Sequence, residues 1–153
     1  MFDEHSRVLI LGTFPSVKSR EFGFYYGHPQ NRFWRLLAVL TKTEPLPASI
    51  EAKKQLLLEN EIALWDVVAS CEIRGSSDLS IGQVVPNDLS TLWEKTSLEK
   101  IFANGDKAYR LYGRFWSDPI ERLPSTSPAN ASYSFSALLE QWKALLPYLR
   151  KVC

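Results

Sequence analysis

The feature that most constrains this fold is an apolar run that ends in a glycine, Arg7-Val8-Leu9-Ile10-Leu11-Gly12. A continuous β-branched and leucine run of this length is typical of a strand buried on both faces of a parallel sheet. The loop that follows reads Gly12-Thr13-Phe14-Pro15-Ser16, and its proline stiffens the turn. Ligands of open parallel sheets bind beyond the carboxyl ends of strands, which places this loop at a predicted binding crevice. Taken alone, the pattern is more typical of an ordinary loop.

Predicted strands and helices alternate along the rest of the chain. The predicted strands are residues 7–12, 62–68, 100–104 and 120–124. The predicted helices are residues 32–40, 49–60, a segment starting at Asn87 or Asp88, a segment after Gly105, and 133–149. This βα alternation predicts a three-layer α/β/α sandwich with a central four-stranded parallel sheet. The strand ends Gly12, Asp66, Asn104 and Ser125 would then meet at one edge.

The composition is that of a small enzyme but does not require one. The 153 residues, 45% of them hydrophobic, are predicted to form a single domain spanning residues 1–153. No apolar run approaches the roughly 18 residues that cross a bilayer, and a cytoplasmic location is expected. Cys71 and Cys153 lie far apart and lack metal-ligand spacing, so structural disulfides, zinc and iron–sulfur clusters are not expected. No other metal and no cofactor are expected either. The net charge of +1 is weak for a protein that neutralises many phosphates.

Three ordered motifs make the chain resemble a known family. They are Gly12-Thr13-Phe14-Pro15-Ser16, His28-Pro29-Gln30-Asn31-Arg32-Phe33-Trp34, and Leu123-Pro124-Ser125-Thr126-Ser127-Pro128-Ala129-Asn130. Together they resemble the uracil-DNA glycosylase superfamily, and more narrowly its hypoxanthine (deoxyinosine) DNA glycosylase branch. The second motif is also similar to that of the mismatch-specific uracil glycosylases. Those enzymes carry a water-orienting asparagine two residues after the first glycine, where this chain has Phe14, so that role must move or be lost.

The resemblance implies that Asn31 places the hydrolytic water and that Tyr26 stacks on a flipped base. A side-chain amide can hold a water through its carbonyl oxygen but cannot take its proton at neutral pH. The alternatives are that Asn31 only caps the helix starting at Arg32, and that Tyr26 only packs on the core. Phe22, Phe24 and Tyr25 compete with Tyr26 for the stacking role.

His28 has two open interpretations. It can stabilise negative charge on the departing base or on a phosphate, or it can organise its loop through hydrogen bonds. Both are ordinary roles for a histidine side chain.

The base-binding set is predicted to comprise Gly12, Thr13, Phe14, Pro15, Ser16, Tyr26, Asp66 and Asn104. Asp66 aligns with the strand-end position where uracil-specific relatives carry a base-reading asparagine. A carboxylate only accepts hydrogen bonds, so it favours a purine that presents N1–H, as hypoxanthine does. The O6 partner would then be a backbone N–H near Thr13 or Phe14. Asp66 as a cap or an ion-pair partner is the alternative.

The loop of the third motif is predicted to grip DNA. Its predicted DNA-binding residues are Ser125, Thr126, Ser127, Pro128 and Asn130, because hydroxyls and backbone amides bind phosphate without net charge. The alternative is an ordinary helix entry capped by Asn130 or Ser132. The polar loop that contains Arg74 is a further candidate contact.

The expected activity is that of a monofunctional, monomeric DNA glycosylase that flips a deaminated base, hypoxanthine first, and hydrolyses its N-glycosidic bond. No lyase step is expected, because the only lysine near the main motifs is Lys18. The alternatives are the same chemistry on uracil, and a non-catalytic module that binds nucleotides or damaged DNA.

Overall fold

The computed structural model describes residues 1–13, 24–70 and 85–149. The strands are β1 (Val8–Gly12), β2 (Ile62–Asp66), β3 (Val68–Ser70), β4 (Val85–Pro86), β5 (Lys100–Asn104) and β6 (Glu121–Leu123). The helices are α1 (Phe33–Thr41), α2 (Ile50–Glu59), α3 (Ser90–Lys95), α4 (Asp106–Phe115) and α5 (Phe135–Trp142), and a 3₁₀ helix (Lys143–Tyr148) follows α5. The central sheet has the order β2-β1-β5-β6, and all its pairs are parallel.

Strand β1 lies at the centre because both of its faces are apolar. Val8 and Ile10 pack with α1, α2 and α5, whereas Leu9 and Leu11 pack with α3 and α4. All four side chains are fully buried. The resulting layers of helices, sheet and helices confirm the predicted α/β/α sandwich.

Capping serines and a glycine with positive φ mark the starts of three helices. The hydroxyl of Ser49 accepts the Ala52 N–H at 3.0 Å at the start of α2, and Ser134 accepts the Ala137 N–H at 3.1 Å at the start of α5. Helix α4 follows Gly105, whose φ of 98° is one that L-residues rarely adopt. The cap of α5 is therefore Ser134 rather than Asn130 or Ser132.

Two predicted elements end earlier in the structure than in the prediction. The strand predicted over residues 62–68 ends at Asp66, because its partner strand β1 ends at Gly12. The Val67 carbonyl then accepts the Asn87 N–H, and β3 pairs instead with β4 in a separate antiparallel sheet. The helix predicted over 133–149 is α-helical only over Phe135–Trp142. Its continuation is a 3₁₀ helix that contains Pro147, which has no N–H to donate.

The helix predicted from Asn87 or Asp88 begins at Ser90. Asn87 is used differently, since its side-chain amide donates to the Asp66 carbonyl at 2.6 Å. Within the three described ranges, no helix is both long enough and apolar enough to cross a membrane.

Candidate active site at the carboxyl edge of the sheet

The strand register brings the predicted strand-end residues to one edge of the sheet. Gly12 lies opposite Asp66 across the β1–β2 pair, and Asn104 lies opposite Leu123 across the β5–β6 pair. The third motif begins where β6 ends. The convergence expected from the sequence is therefore present in the fold.

Gly12 allows two polar side chains to approach the end of β1. A Cβ at this position would lie 2.6 Å from Asp66 Oδ1 and 2.9 Å from the Tyr26 hydroxyl. Both distances are shorter than real Cβ contacts, so only glycine fits without displacing one of these groups. The chain thus gathers a carboxylate and a phenol around one strand end.

Asp66 is a carboxylate held in a poorly solvated place. Burial raises its pKa from 3.8 to about 6, because desolvation disfavours the charged form. A side chain with this pKa is mostly ionised above neutral pH and accepts hydrogen bonds there. Its backbone carbonyl is separately engaged by Asn87.

Tyr26 has a strained backbone and an enclosed hydroxyl. Its φ is 53°, and the carbonyl of the preceding Tyr25 accepts the Trp34 indole N–H at 2.9 Å. Among residues 1–13, 24–70 and 85–149, no group accepts from or donates to this hydroxyl with acceptable geometry, and burial, followed by the charge of Asp66, raises its pKa above its usual range. The ring packs at 4.2 Å from the ring of Phe33. Its role as a base-stacking platform stays a prediction.

The side chain of Asn31 is held in place by hydrogen bonds to its Oδ1 atom. This oxygen accepts the Phe33 N–H at 2.9 Å, as an Asx turn at the start of α1, and the Thr126 hydroxyl at 2.8 Å. The Asn31 N–H donates to the His28 carbonyl at 2.9 Å. Asn31 therefore does serve the start of α1, which was the alternative role expected from the sequence, and its carbonyl oxygen already has two donors.

Thr126 connects Asn31 with Asn104. Its hydroxyl accepts from Asn104 Nδ2 at 3.1 Å, and its backbone N–H donates to Asn104 Oδ1 at 3.1 Å. Thr126 is 1% exposed and Asn104 is 8% exposed. The DNA contact predicted for the Thr126 side chain is corrected on this ground, because a buried hydroxyl with two internal partners does not reach a phosphate. The predicted substrate contact of Asn104 stays a prediction.

His28 organises its loop through the Nδ1 atom, which accepts the Gln30 N–H at 3.0 Å. A neutral His28 with this contact carries its proton on Nε2. Loop organisation and donation from Nε2 to a substrate are compatible, so the catalytic role of His28 stays a prediction.

Arg32 is a site residue that the sequence reasoning missed. Its guanidinium donates to the carbonyls of Ser127 at 2.8 Å and Asn130 at 3.0 Å, and also to the carbonyl of Tyr133. Its backbone N–H donates to the Thr126 carbonyl at 3.1 Å. One side chain of the second motif thus holds the main chain of the third. The one sequence feature that could have indicated this role is the position of Arg32 inside the second motif.

The third motif is a loop folded on its own polar groups. Ser125 Oγ accepts the Ser127 N–H at 3.1 Å, Ser127 Oγ accepts the Ala129 N–H at 3.1 Å, and Asn130 Nδ2 donates to the Ser125 carbonyl at 3.0 Å. Pro128 is exposed at the tip of the loop. The loop keeps its shape without DNA, and its phosphate contacts stay a prediction.

An open cleft of about 740 Å³ lies beside this loop. Its lining includes Thr13, Asn104, Ser125, Ser127, Asn130 and two basic residues, Lys107 and Arg122. Arg122 also pairs with Asp106 at 2.8 Å. The cleft therefore combines hydroxyls, amides, basic groups and the carboxylate of Asp106 next to the end of the sheet. Hydroxyls, amides and basic groups are the kinds of group that contact a sugar–phosphate backbone.

Some predicted site residues lie outside the described ranges. These are Phe14, Pro15 and Ser16 of the first motif, Phe22, and Arg74 of the polar loop. Among the residues that are described, no three His, Cys, Asp or Glu side chains form a group able to hold a metal ion.

Comparisons with known proteins agree with this fold. The family model of the uracil DNA glycosylase superfamily matches residues 1–150. A hypoxanthine DNA glycosylase from Methanosarcina acetivorans is 37% identical over 95% of this chain and 93% of its own length. One from Methanosarcina barkeri is 33% identical over 85% of this chain and 84% of its own.

A solved structure gives the same result. The solution NMR structure of a Methanosarcina acetivorans protein, named as a candidate uracil DNA glycosylase, superposes with a TM-score of 0.73. It is 36% identical and covers 94% of this chain and 93% of that one. With its parallel sheet and the polar residues gathered at the carboxyl edge, the chain belongs to the uracil DNA glycosylase superfamily.

Proposed function

We propose that this protein is a hypoxanthine DNA glycosylase, which takes a deoxyinosine out of the duplex and hydrolyses the bond between its base and its sugar. Relatives with that name match almost the whole chain. In the reaction the C1′–N9 bond breaks and its electron pair leaves on the purine. Water supplies the hydroxyl at C1′ and the proton on the base, so no other co-reactant is needed.

The observation that carries the proposal is the place and ionisation of Asp66. Its carboxylate lies at the carboxyl end of β2, opposite Gly12, and its pKa of about 6 leaves it ionised at neutral pH. Hypoxanthine presents an N1–H that this carboxylate can accept, whereas adenine presents a bare N1 lone pair that repels it. A single acceptor at the strand end therefore favours the deaminated base over its parent.

The neighbouring residues suit the other steps of the reaction. The ring of Tyr26 offers a stacking surface, and stacking on a flipped base is worth about 1–3 kcal/mol for any base. The cleft beside the third motif supplies polar groups for the sugar–phosphate backbone. Rate then comes from positioning and charge stabilisation rather than from a strong base.

The test compares hypoxanthine, uracil and adenine at the same position of a labelled duplex, with enzyme in excess and abasic sites revealed by alkali. We expect hypoxanthine to leave at least about 100-fold faster than adenine, because an unpaired buried polar group costs several kcal/mol. Asp66→Ala should remove most of this preference. Equal release of hypoxanthine and adenine, or release of neither, would overturn the proposal.

Uracil is the second candidate substrate. It also presents a keto group next to an N–H, so the same acceptor suits it, and the solved relative is named as a candidate uracil DNA glycosylase. The uracil duplex in the same assay separates the two candidates. Faster release of uracil than of hypoxanthine would assign the site to uracil.

A further inference from the structure

Three side chains form one hydrogen-bonded chain through the candidate site. Asn104 Nδ2 donates to Thr126 Oγ1 at 3.1 Å, and the Thr126 hydroxyl donates to Asn31 Oδ1 at 2.8 Å. The middle member, Thr126, is 1% exposed. Water therefore does not compete freely for its hydrogen bonds, and these three linked side chains belong to the stable interior of the fold.

Two backbone groups determine the direction of this chain. The Thr126 N–H donates to Asn104 Oδ1 at 3.1 Å, so the other end of that amide, Nδ2, must be the donor to the Thr126 hydroxyl. The Phe33 N–H donates to the carbonyl oxygen of Asn31 at 2.9 Å. A backbone N–H only donates, so neither amide can turn over without placing two donors face to face.

The consequence concerns the amide of Asn31. Its carbonyl oxygen has two lone pairs, and both have partners, Phe33 and Thr126. The –NH₂ group has no hydrogen-bond partner among residues 1–13, 24–70 and 85–149. A substrate or water that meets this side chain therefore meets a donor rather than an acceptor.

We propose that Thr126 is a positioning residue, which holds the amide of Asn31 so that Asn31 acts on the reacting nucleotide as a hydrogen-bond donor. This inference rests on the proposed function and deepens it. As the C1′–N9 bond breaks, negative charge grows on the purine, and a donor that is already oriented stabilises that charge without reorganisation. Thr126 reaches the reaction only through Asn31.

The neighbouring contacts show why the arrangement is rigid. The carbonyl of Thr126 accepts the backbone N–H of Arg32 at 3.1 Å, and the guanidinium of the same residue binds the loop beyond Thr126. The residue beside Asn31 in sequence thus anchors the main chain of Thr126. The second and third motifs are joined at both side-chain and main-chain level.

The first test separates a donor from an acceptor at position 31. Asn31→Asp keeps a carbonyl oxygen for Phe33 and Thr126 but replaces the –NH₂ group by an oxygen that only accepts. We expect its single-turnover rate on a hypoxanthine duplex at pH 7.5 to be as low as that of Asn31→Ala. A rate equal to or above that of the native protein would overturn the donor role.

The second test asks whether Thr126 acts through Asn31. Thr126→Val has nearly the same shape without the hydroxyl, and Thr126→Ser restores the hydroxyl. We expect Val to lower the single-turnover rate about 10-fold or more with unchanged affinity for the duplex, and Ser to recover most of the rate. In the Asn31→Ala background, Val should change the rate by less than about 2-fold, because the interaction is already lost. An equal loss in both backgrounds would overturn the positioning role.

A third measurement does not need activity. In ¹⁵N-labelled protein, the side-chain amide signals of Asn31 are identified by their absence in Asn31→Asp. Thr126→Val should shift these signals and Thr126→Ser should leave them nearly in place; no shift in either would contradict the proposed contact. If the native protein releases no base while the shift is seen, the proposed function fails and the orientation of the amide stands.

Discussion

The α-carbon of Gly12 lies so close to the carboxylate of Asp66 that an added methyl group would be 2.6 Å from Oδ1. This proximity links the end of β1 to the group that we assign to base recognition. It also means that even an alanine at this position must displace both the Asp66 carboxylate and the Tyr26 hydroxyl, which would be 2.9 Å away.

Gly12→Ala should therefore damage activity more than folding. We expect the single-turnover rate on a hypoxanthine duplex to fall about 10-fold or more, since small misplacements in an active site cost rate steeply. Gly113→Ala is the matched control. A Cβ there meets nothing within 4 Å, and in helix α4 the change should add about 0.5–1 kcal/mol to the free energy of unfolding. Equal activity of the two variants would contradict the close approach at Gly12.

Arg32→Ala should loosen the third motif. The carbonyls of Ser127 and Asn130 would each lose the guanidinium donor and keep only a backbone N–H, and we expect a loss of about 1–3 kcal/mol in the free energy of unfolding. Hydrogen exchange should accelerate in the loop of residues 125–134. Arg32→Lys should recover only part of the lost stability, because one ammonium group cannot reach all the carbonyls that the planar guanidinium contacts. Arg114→Ala, at an exposed position near the end of α4, is the control. Similar hydrogen exchange in both variants would contradict the proposal that Arg32 holds this loop.

The ionisation of Asp66 predicts how activity depends on pH. The pKa is raised to about 6 by desolvation, so the fraction of carboxylate, and with it the rate of hypoxanthine release, should fall as pH drops below about 6. Asp66→Asn cannot titrate, so its rate should lack this step whatever its absolute value. An unchanged step in Asp66→Asn would show that another group is responsible.

The same pKa shift predicts how stability depends on pH. A carboxyl whose pKa is higher in the folded state than in the unfolded state binds its proton more tightly when folded, so its favourable contribution is complete below pH 3.8 and is lost as pH rises through about 6. Asp66→Asn should therefore raise the melting temperature at pH 7.5, by about 2–5 °C. The difference from the native protein should shrink toward pH 4. A constant difference across this range would contradict the raised pKa.

Two substitutions at Tyr26 separate the role of its ring from the role of its hydroxyl. Because the buried hydroxyl has no hydrogen-bond partner in the described part of the chain, Tyr26→Phe should unfold at an equal or higher temperature and keep its rate within about 3-fold. Tyr26→Ala removes the stacking surface and should lower the rate by roughly 5- to 150-fold, the equivalent of about 1–3 kcal/mol. If Phe were as slow as Ala, the hydroxyl rather than the ring would be the functional group.

Much of the fold could be predicted because apolar periodicity reports it directly. Lys100–Asn104 forms a strand as predicted, and β1 differs from its prediction only at Arg7. The end of β2 is harder to predict, since residue 68 is as apolar as those before it. The strand ends because β1 has no residue beyond Gly12 to pair with, and the Val67 carbonyl accepts from Asn87 instead. Pro147 is visible in the sequence and has no N–H to donate. The segment of residues 143–148 therefore forms a 3₁₀ helix rather than the predicted α-helix.

The site could be located from its motifs, but its hydrogen bonds could not. Arg32 binds main-chain carbonyls about a hundred positions away, and a carbonyl belongs to every residue, so no side-chain pattern announces the contact. Thr126 looked like its serine neighbours in a polar loop. Its burial arises only when that loop folds over Asn31 and Asn104. Long-range polar contacts of this kind depend on the tertiary structure.

The most direct measurement of the central claim is base release from one labelled duplex with a single deoxyinosine, comparing the native protein with Asn31→Ala in enzyme excess. Alkali would convert each abasic site into a strand break. We predict that the native protein releases hypoxanthine and that Asn31→Ala is slower by about 100-fold, a loss of roughly 2.7 kcal/mol in transition-state stabilisation. No release by the native protein, or equal rates for the two, would contradict the account.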